Sequence, residues 1–338
     1  MARMRRWSPV WWLVVLLAVC LLWIARGPRA RVEPEASSRS TLITRASAFP
    51  DSLASWPAWL EASERRAGVT DTGVMKRVVF ADSIPQRTAW SVVYLHGFSA
   101  TRQETAPVSE HIADSLHANL FETRLHGHGL PADSMATATA RQWIRDAEAA
   151  LAAGAALGDS VLLIGTSTGG TLAAWLATEP DSLRRALRKI VLVSPNFAVR
   201  DFRSKVLTWP WAPVLIPKLI PTHTWPARNA DQARYWTTTY STRALFPMAA
   251  LVKAVEQRPL EGWDTPTLIF ASQEDAVVDA DATRSWITTV RGTSTTRIED
   301  EWITPASGED NHVLTGRILA PSQVDPFVQR ILTFVRTK

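Results

Sequence analysis

Ser167 lies in Gly165-Thr166-Ser167-Thr168-Gly169-Gly170, between the apolar run Val161-Leu162-Leu163-Ile164 and an Ala/Leu-rich helical pattern. A G-x-S-x-G pentapeptide at a strand-to-helix turn is a nucleophile elbow: the tight turn pushes the serine hydroxyl out at the carboxyl end of a sheet, and the glycines let the backbone turn without Cβ clashes. A serine hydroxyl is a weak nucleophile at neutral pH, so it needs a base to take its proton and an acid to orient that base. With an elbow of this kind the partners follow in the order Ser, Asp/Glu, His. Asp275, in Ser272-Gln273-Glu274-Asp275-Ala276-Val277-Val278, stands just past a strand and is the expected acid. Glu274, Asp279 and Asp281 compete with it, but Asp279 and Asp281 sit where the next helix starts and read as helix caps. Of the seven histidines, only His312 lies between the last expected strand and the final helix, in Gly308-Glu309-Asp310-Asn311-His312. It is the expected base. His96, His126 and His128 precede the serine, His111 and His117 lie on an early helix, and His223 is the other late candidate.

Acyl chemistry at a serine also requires N–H groups aimed at the oxygen on which negative charge develops. Thr168 N–H, directly after the serine, is one expected donor. Phe98 N–H is the other, because His96-Gly97-Phe98 follows a buried apolar run and Gly97 allows close backbone approach, although His96-Gly97 read alone is an ordinary strand-ending turn. His126-x-His128 has the look of a metal pair, yet no further ligand cluster stands near it, and a glycine-bounded loop explains it. The glycines around Ser167 lack the lysine of a phosphate loop and the spacing of a dinucleotide turn, so no cofactor and no metal are expected.

The elements that must position these groups alternate. Leu53 to Arg66 reads as an amphipathic helix, Met75 to Ala81 and Ser91 to Leu95 as strands, Thr105 to Leu116 as a helix, and Asn119 to Thr123 as a strand. A long helix over Ala140 to Leu157 precedes the elbow strand, Val161 to Thr166; a helix over Gly169 to Ala177 and a strand over Lys189 to Ser194 follow. Between about Asn196 and Gly262 the alternation gives way to Pro- and Trp-rich sequence. It resumes with a strand over Thr267 to Ala271, a helix over Ala280 to Val290, a strand over Thr295 to Ile298 and a helix over Pro326 to Val335. Such a pattern predicts a mostly parallel sheet with helices on both faces and an insertion after its middle strands.

The chain has 338 residues, 46% hydrophobic and 20% charged, enough for one large α/β domain with an insertion. Its formal charge of +5 comes from scattered arginines, several of them beside an apolar N-terminal segment, and no basic stripe suggests nucleic acid. The single cysteine, Cys20, excludes an intramolecular disulfide framework. Arg3, Arg5 and Arg6 precede an apolar run from Val10 to Ala25 that Arg26, Arg29 and Arg31 close, with Trp7, Trp11, Trp12 and Trp23 near its ends. That layout predicts a membrane anchor or signal segment over residues 1–27, followed by a Pro/Ser/Arg/Glu-rich linker over 28–50. A globular domain over 51–338, with its insertion at about 197–262, would then lie outside the cytoplasm: periplasmic in a bacterium, or secreted if the segment is cleaved.

These residues resemble the α/β-hydrolase superfamily, and within it the lid-bearing serine hydrolases related to monoacylglycerol lipases, bacterial carboxylesterases and the serine aminopeptidase S33-like group. The resemblance rests on His96-Gly97-Phe98, Leu125-His126-Gly127-His128-Gly129, the elbow, Asp275 with Val277-Val278, and Asn311-His312, and spans about Met75 to Thr337. It implies an α/β-hydrolase fold with a helical cap, a Ser167-His312-Asp275 triad cleaving acyl esters through an acyl-enzyme, and a small-molecule or lipid ester as substrate. It further implies that Trp209, Trp211, Trp225 and Trp236 of the cap line an acyl pocket, unless they merely pack the cap. Thr166 stands where lipase-like members often carry Met, Leu or His. Acyl transfer, carbon–carbon bond hydrolysis, and a non-catalytic binding protein on the same fold are the alternative readings.

Overall fold

The computed structural model describes residues 9–33, 49–179, 184–304 and 311–337. The arginines at positions 3, 5 and 6, most of the expected linker (34–48) and Gly308-Glu309-Asp310 lie outside these residues. In chain order the elements are α1 (Pro9–Ala25), α2 (Trp56–Arg66), β1 (Arg77–Val79), β2 (Thr88–Leu95), α3 (Val108–Leu116), β3 (Asn119–Glu122), α4 (Ala140–Leu157), β4 (Gly158–Thr166), α5 (Thr168–Ala177) and β5 (Leu187–Val193). The insertion holds α6 (Ala212–Leu219), β6 (Thr222–Thr224), α7 (Ala230–Tyr235), β7 (Thr239–Ser241) and α8 (Leu245–Glu256). After it come β8 (Thr267–Ala271), α9 (Ala280–Thr293), β9 (Ile298–Trp302) and α10 (Val324–Arg336).

Seven strands form one sheet in the order β1-β3-β2-β4-β5-β8-β9, with β1 antiparallel to β3 and every other pair parallel. The central strands carry uninterrupted apolar runs (92–95, 161–164, 190–193 and 268–271) because both faces are covered there, and alternate side chains serve opposite faces. Val93, Leu95, Val161, Leu163, Ile190, Leu192 and Ile269 pack under α4, α5, α8 and α9. Their neighbours Val92, Tyr94, Leu162, Ile164, Val191, Val193, Leu268 and Phe270 pack under α3 and α10. The expected doubly wound α/β sheet is therefore present, with the inserted elements between β5 and β8, and the carboxyl ends of the parallel strands β2, β4 and β8 lie on one edge.

Two expectations change. The last strand is Ile298–Trp302 rather than Thr295 to Ile298, because this edge strand carries Glu299, Asp300 and Glu301, whose charges Arg330 and Arg291 neutralise. The N-terminal apolar run forms α1, but its 17 residues reach only about 25 Å at a helical rise of about 1.5 Å per residue. A bilayer core needs about 30 Å. Among the described residues no helix is long and apolar enough to cross a membrane. Nor is the start of the expected linker free: Trp211 N–H donates to Pro28 O at 2.7 Å, and Arg141 Nε donates to Glu33 O at 3.0 Å.

Candidate active site

Ser167 heads α5 with φ 52° and ψ −116°, a conformation that costs energy for a side-chain-bearing residue and persists only when its surroundings fix it. Three backbone bonds do so: Ser167 N–H donates to Val193 O at 2.9 Å, while Thr171 N–H and Asn196 N–H each donate to Ser167 O at 3.1 Å. The elbow also presses on the end of β2. A Cβ on Gly169 would stand 2.0 Å from Leu95 O, so only glycine lets the two segments meet.

His312 links the other two residues that the sequence singled out, Ser167 and Asp275. Its Nε2 lies 3.0 Å from Ser167 Oγ and its Nδ1 lies 2.8 Å from Asp275 Oδ2. Asp275 is 1% exposed, and its other oxygen, Oδ1, accepts from Val277 N–H at 2.8 Å and Val278 N–H at 2.9 Å. The acid loop is pinned in turn by Arg200, whose Nη1 donates to Asp275 O at 2.5 Å and whose N–H donates to Val277 O at 2.9 Å. An imidazole held with Nδ1–H toward a carboxylate and Nε2 toward a serine hydroxyl is arranged to take that hydroxyl's proton. The competing residues serve elsewhere. Asp279 caps α9 by accepting from Asp281 N–H at 2.9 Å, and His223 sits on β6 with its ring 5.4 Å from that of Tyr240.

Of the two expected N–H donors, Thr168 directly follows the serine, and Phe98 follows Gly97, on which a Cβ would stand 3.1 Å from Ser167 Cβ. Thr168 is the first residue of α5, where helix amides have no partner inside the helix and the dipole favours negative charge. Phe98 follows β2, and the peptide plane carrying its N–H is held through the Gly97 carbonyl, which lies 2.9 Å from His96 Nδ1. His96 Nε2 accepts from Leu125 N–H at 3.0 Å, so its Nδ1 carries the proton given to Gly97 O. Burial enforces that neutral form, lowering the His96 pKa from 6.5 to about 4 despite the bond to Gly97. His128 is buried beside it, ring to ring at 5.1 Å, with its pKa likewise pushed down by burial and then by His96. Among the described residues no group of acidic, histidine or cysteine side chains could hold a metal ion.

Above the site, Thr237 N–H donates to Ser99 O at 2.8 Å and Tyr240 stands edge-on to Phe98 with ring centres 5.2 Å apart, so the cap is stitched to the loop carrying Phe98. The four cap tryptophans do not face one chamber. Trp211 turns to the N-terminal segment, its ring 4.2 Å from that of Trp23 and against Gly27, whose missing side chain leaves room for an indole. Trp236 is buried with Val74, Met75 and Val313, and Trp225 packs beside it and against Tyr240. Trp209 is 60% exposed at the rim of a cavity of about 660 Å³ lined by Phe197, Leu207, Val252, Leu260 and Trp286. Of the four only Trp236 is buried, and nothing in residue type signalled against what each would pack.

A family model described as serine aminopeptidase, S33, matches residues 86–300 of this chain. No curated protein matches it. Among solved structures, one from a study of LipS and LipT, two metagenome-derived lipolytic enzymes, is similar at 19% identity and a TM-score of 0.61, over 78% of this chain and 98% of its own. A soluble variant of monoglyceride lipase from Saccharomyces cerevisiae, bound to a substrate analogue, shares 12% identity at a TM-score of 0.56 over 78% of this chain and 91% of its own. The monoacylglycerol lipase of Paleococcus ferrophilus shares 12% identity at a TM-score of 0.53 over 77% of this chain and 97% of its own. At these identities the likeness is one of fold.

Proposed function

We propose that this chain, which belongs to the α/β-hydrolase superfamily and within it to the serine aminopeptidase S33 family, is a serine hydrolase that cleaves acyl esters. The observation that carries the reading is the single imidazole of His312, within hydrogen-bond reach of Ser167 Oγ at 3.0 Å and of Asp275 Oδ2 at 2.8 Å. In the proposed reaction Ser167 Oγ attacks the acyl carbonyl as His312 Nε2 takes its proton, and Asp275 holds the resulting imidazolium. Phe98 N–H and Thr168 N–H receive the developing oxyanion. Collapse returns the proton from His312 to the departing alcohol and leaves an acyl-enzyme, which water opens with His312 again as base. The fold shared with lipolytic enzymes and monoglyceride lipases supports an ester of apolar acyl chain as substrate.

Purified protein should hydrolyse p-nitrophenyl acyl esters with a clear optimum in chain length, and a fluorophosphonate should label Ser167, as read by peptide mass spectrometry. A label on another residue, or no turnover across the series, overturns the reading.

We also propose that α1 brings the enzyme to a membrane surface, with the catalytic domain outside the cytoplasm. Trp11, Trp12, Leu16, Leu17, Leu21 and Trp23 are each more than half exposed and Arg26, Arg29 and Arg31 follow, a layout suited to lipid contact rather than to water. Full-length protein should float with lipid vesicles, whereas a chain lacking residues 1–33 should stay in the aqueous fraction. Equal partitioning of the two removes the membrane role.

A further inference from the structure

The carboxylate of Glu104 is buried, 2% exposed, on a loop that takes no part in the chemistry proposed above. Burying such a group is costly unless donors are built around it, and here two donors converge on one oxygen. Gly97 N–H donates to Glu104 Oε2 at 2.7 Å, and Tyr94 Oη lies 3.1 Å from the same atom. Tyr94 Oη also lies 3.2 Å from Thr166 Oγ1, on the residue before the serine. Burial and the neighbouring carboxylate push the Tyr94 pKa well up, so the phenol keeps its one proton for Glu104, and Thr166 donates to the phenol oxygen. The result is a continuous chain of bonds from the Gly97 amide to the elbow.

Three loops meet around the segment that carries Glu104. A Cβ on Gly97 would stand 2.7 Å from Glu104 Oε1 and 3.1 Å from Ser167 Cβ, so only glycine lets this strand end lie against both the carboxylate and the serine. The loop bearing His312 rests on the same segment: a Cβ on Gly316 would stand 2.8 Å from Glu104 O, and Arg317 N–H donates to Ala106 O at 2.9 Å. A negative charge so close to the site would oppose an oxyanion if it acted by its field, so its use is geometric.

We propose that Glu104 is a positioning residue, which through Gly97 on one side and Tyr94 and Thr166 on the other fixes the spacing between Phe98 N–H and Thr168 N–H. It rests on the serine hydrolase reading. With His96 holding the Gly97 carbonyl and Glu104 holding the Gly97 amide, both peptide planes around Gly97 are set, and the second of them carries the Phe98 N–H. Thr166 at the position before the serine then has a use that an apolar residue lacks: its hydroxyl completes the chain.

A carboxamide still offers an oxygen to Gly97 N–H and to the Tyr94 hydroxyl. Glu104→Gln should keep kcat within about 5-fold of wild type, whereas Glu104→Ala should lower kcat by about 10²-fold, the effect of losing one oxyanion donor, with KM nearly unchanged. A trifluoromethyl ketone, whose adduct places an oxyanion in the site, should lose affinity for Glu104→Ala by the factor lost in kcat/KM. Glu104→Ala at wild-type kcat, or Glu104→Gln as impaired as Glu104→Ala, overturns the proposal. If Glu104→Ala does not fold, Tyr94→Phe decides: a kcat about 10-fold down at unchanged KM supports the proposal, and an unchanged kcat overturns it. Wild-type protein inactive on every ester would instead sink the hydrolase reading itself.

Discussion

Ser167→Ala should lower kcat for ester hydrolysis by about 10⁶-fold and abolish fluorophosphonate labelling while leaving the fold as it is, since loss of a triad nucleophile removes covalent catalysis altogether. The fold should survive because everything that fixes the elbow is backbone: Ser167 N–H to Val193 O, and the Thr171 and Asn196 amides to Ser167 O. The hydroxyl itself meets His312. Circular dichroism and the melting midpoint should therefore match wild type. Hydrolysis surviving at even a hundredth of the wild-type rate would mean that another group attacks the ester.

Asp275→Asn should cost about 10⁴-fold in kcat, and here the structure says which way the amide must turn. Val277 N–H and Val278 N–H both donate to Asp275 Oδ1, so the amide oxygen is claimed on that side and its NH₂ is left facing His312 Nδ1. That NH₂ can only donate, which forces the imidazole proton onto Nε2, the nitrogen that must accept from Ser167. Nuclear magnetic resonance of the His312 ring should show the proton moved from Nδ1 to Nε2. Activity within 10-fold of wild type would mean that the carboxylate does not set the tautomer.

The helices and central strands were legible because each spans enough residues for periodicity to speak, and α4 and β8 begin and end where the apolar pattern places them. β9 was misplaced because its acids hide the alternation; Arg330, remote in sequence, Arg291, on the preceding helix, and Arg297, just before the strand, pair with those charges there. Ser167, Asp275 and His312 could be picked out because reaction chemistry demands three residue types in one chain order, and the structure brings them together. Glu104, Tyr94 and Arg200 could not. Their importance lies in which backbone atoms they meet, and no motif records a carboxylate accepting from an amide seven residues away. For the tryptophans the sequence left lining and packing open, since size marks a residue for packing without naming its partner.

The cap insertion holds more than a roof. Thr237 and Tyr240 grip the loop of Phe98, and Arg200, at the insertion's first root, grips the carbonyl of Asp275. For anyone re-engineering substrate preference, this makes the cap a poor cassette: exchanging it whole would discard fastenings of the reaction centre along with the specificity surface. Variation confined to α6, which carries none of those fastenings, would leave them in place, so that selectivity could be redesigned without re-solving the geometry of the chemistry.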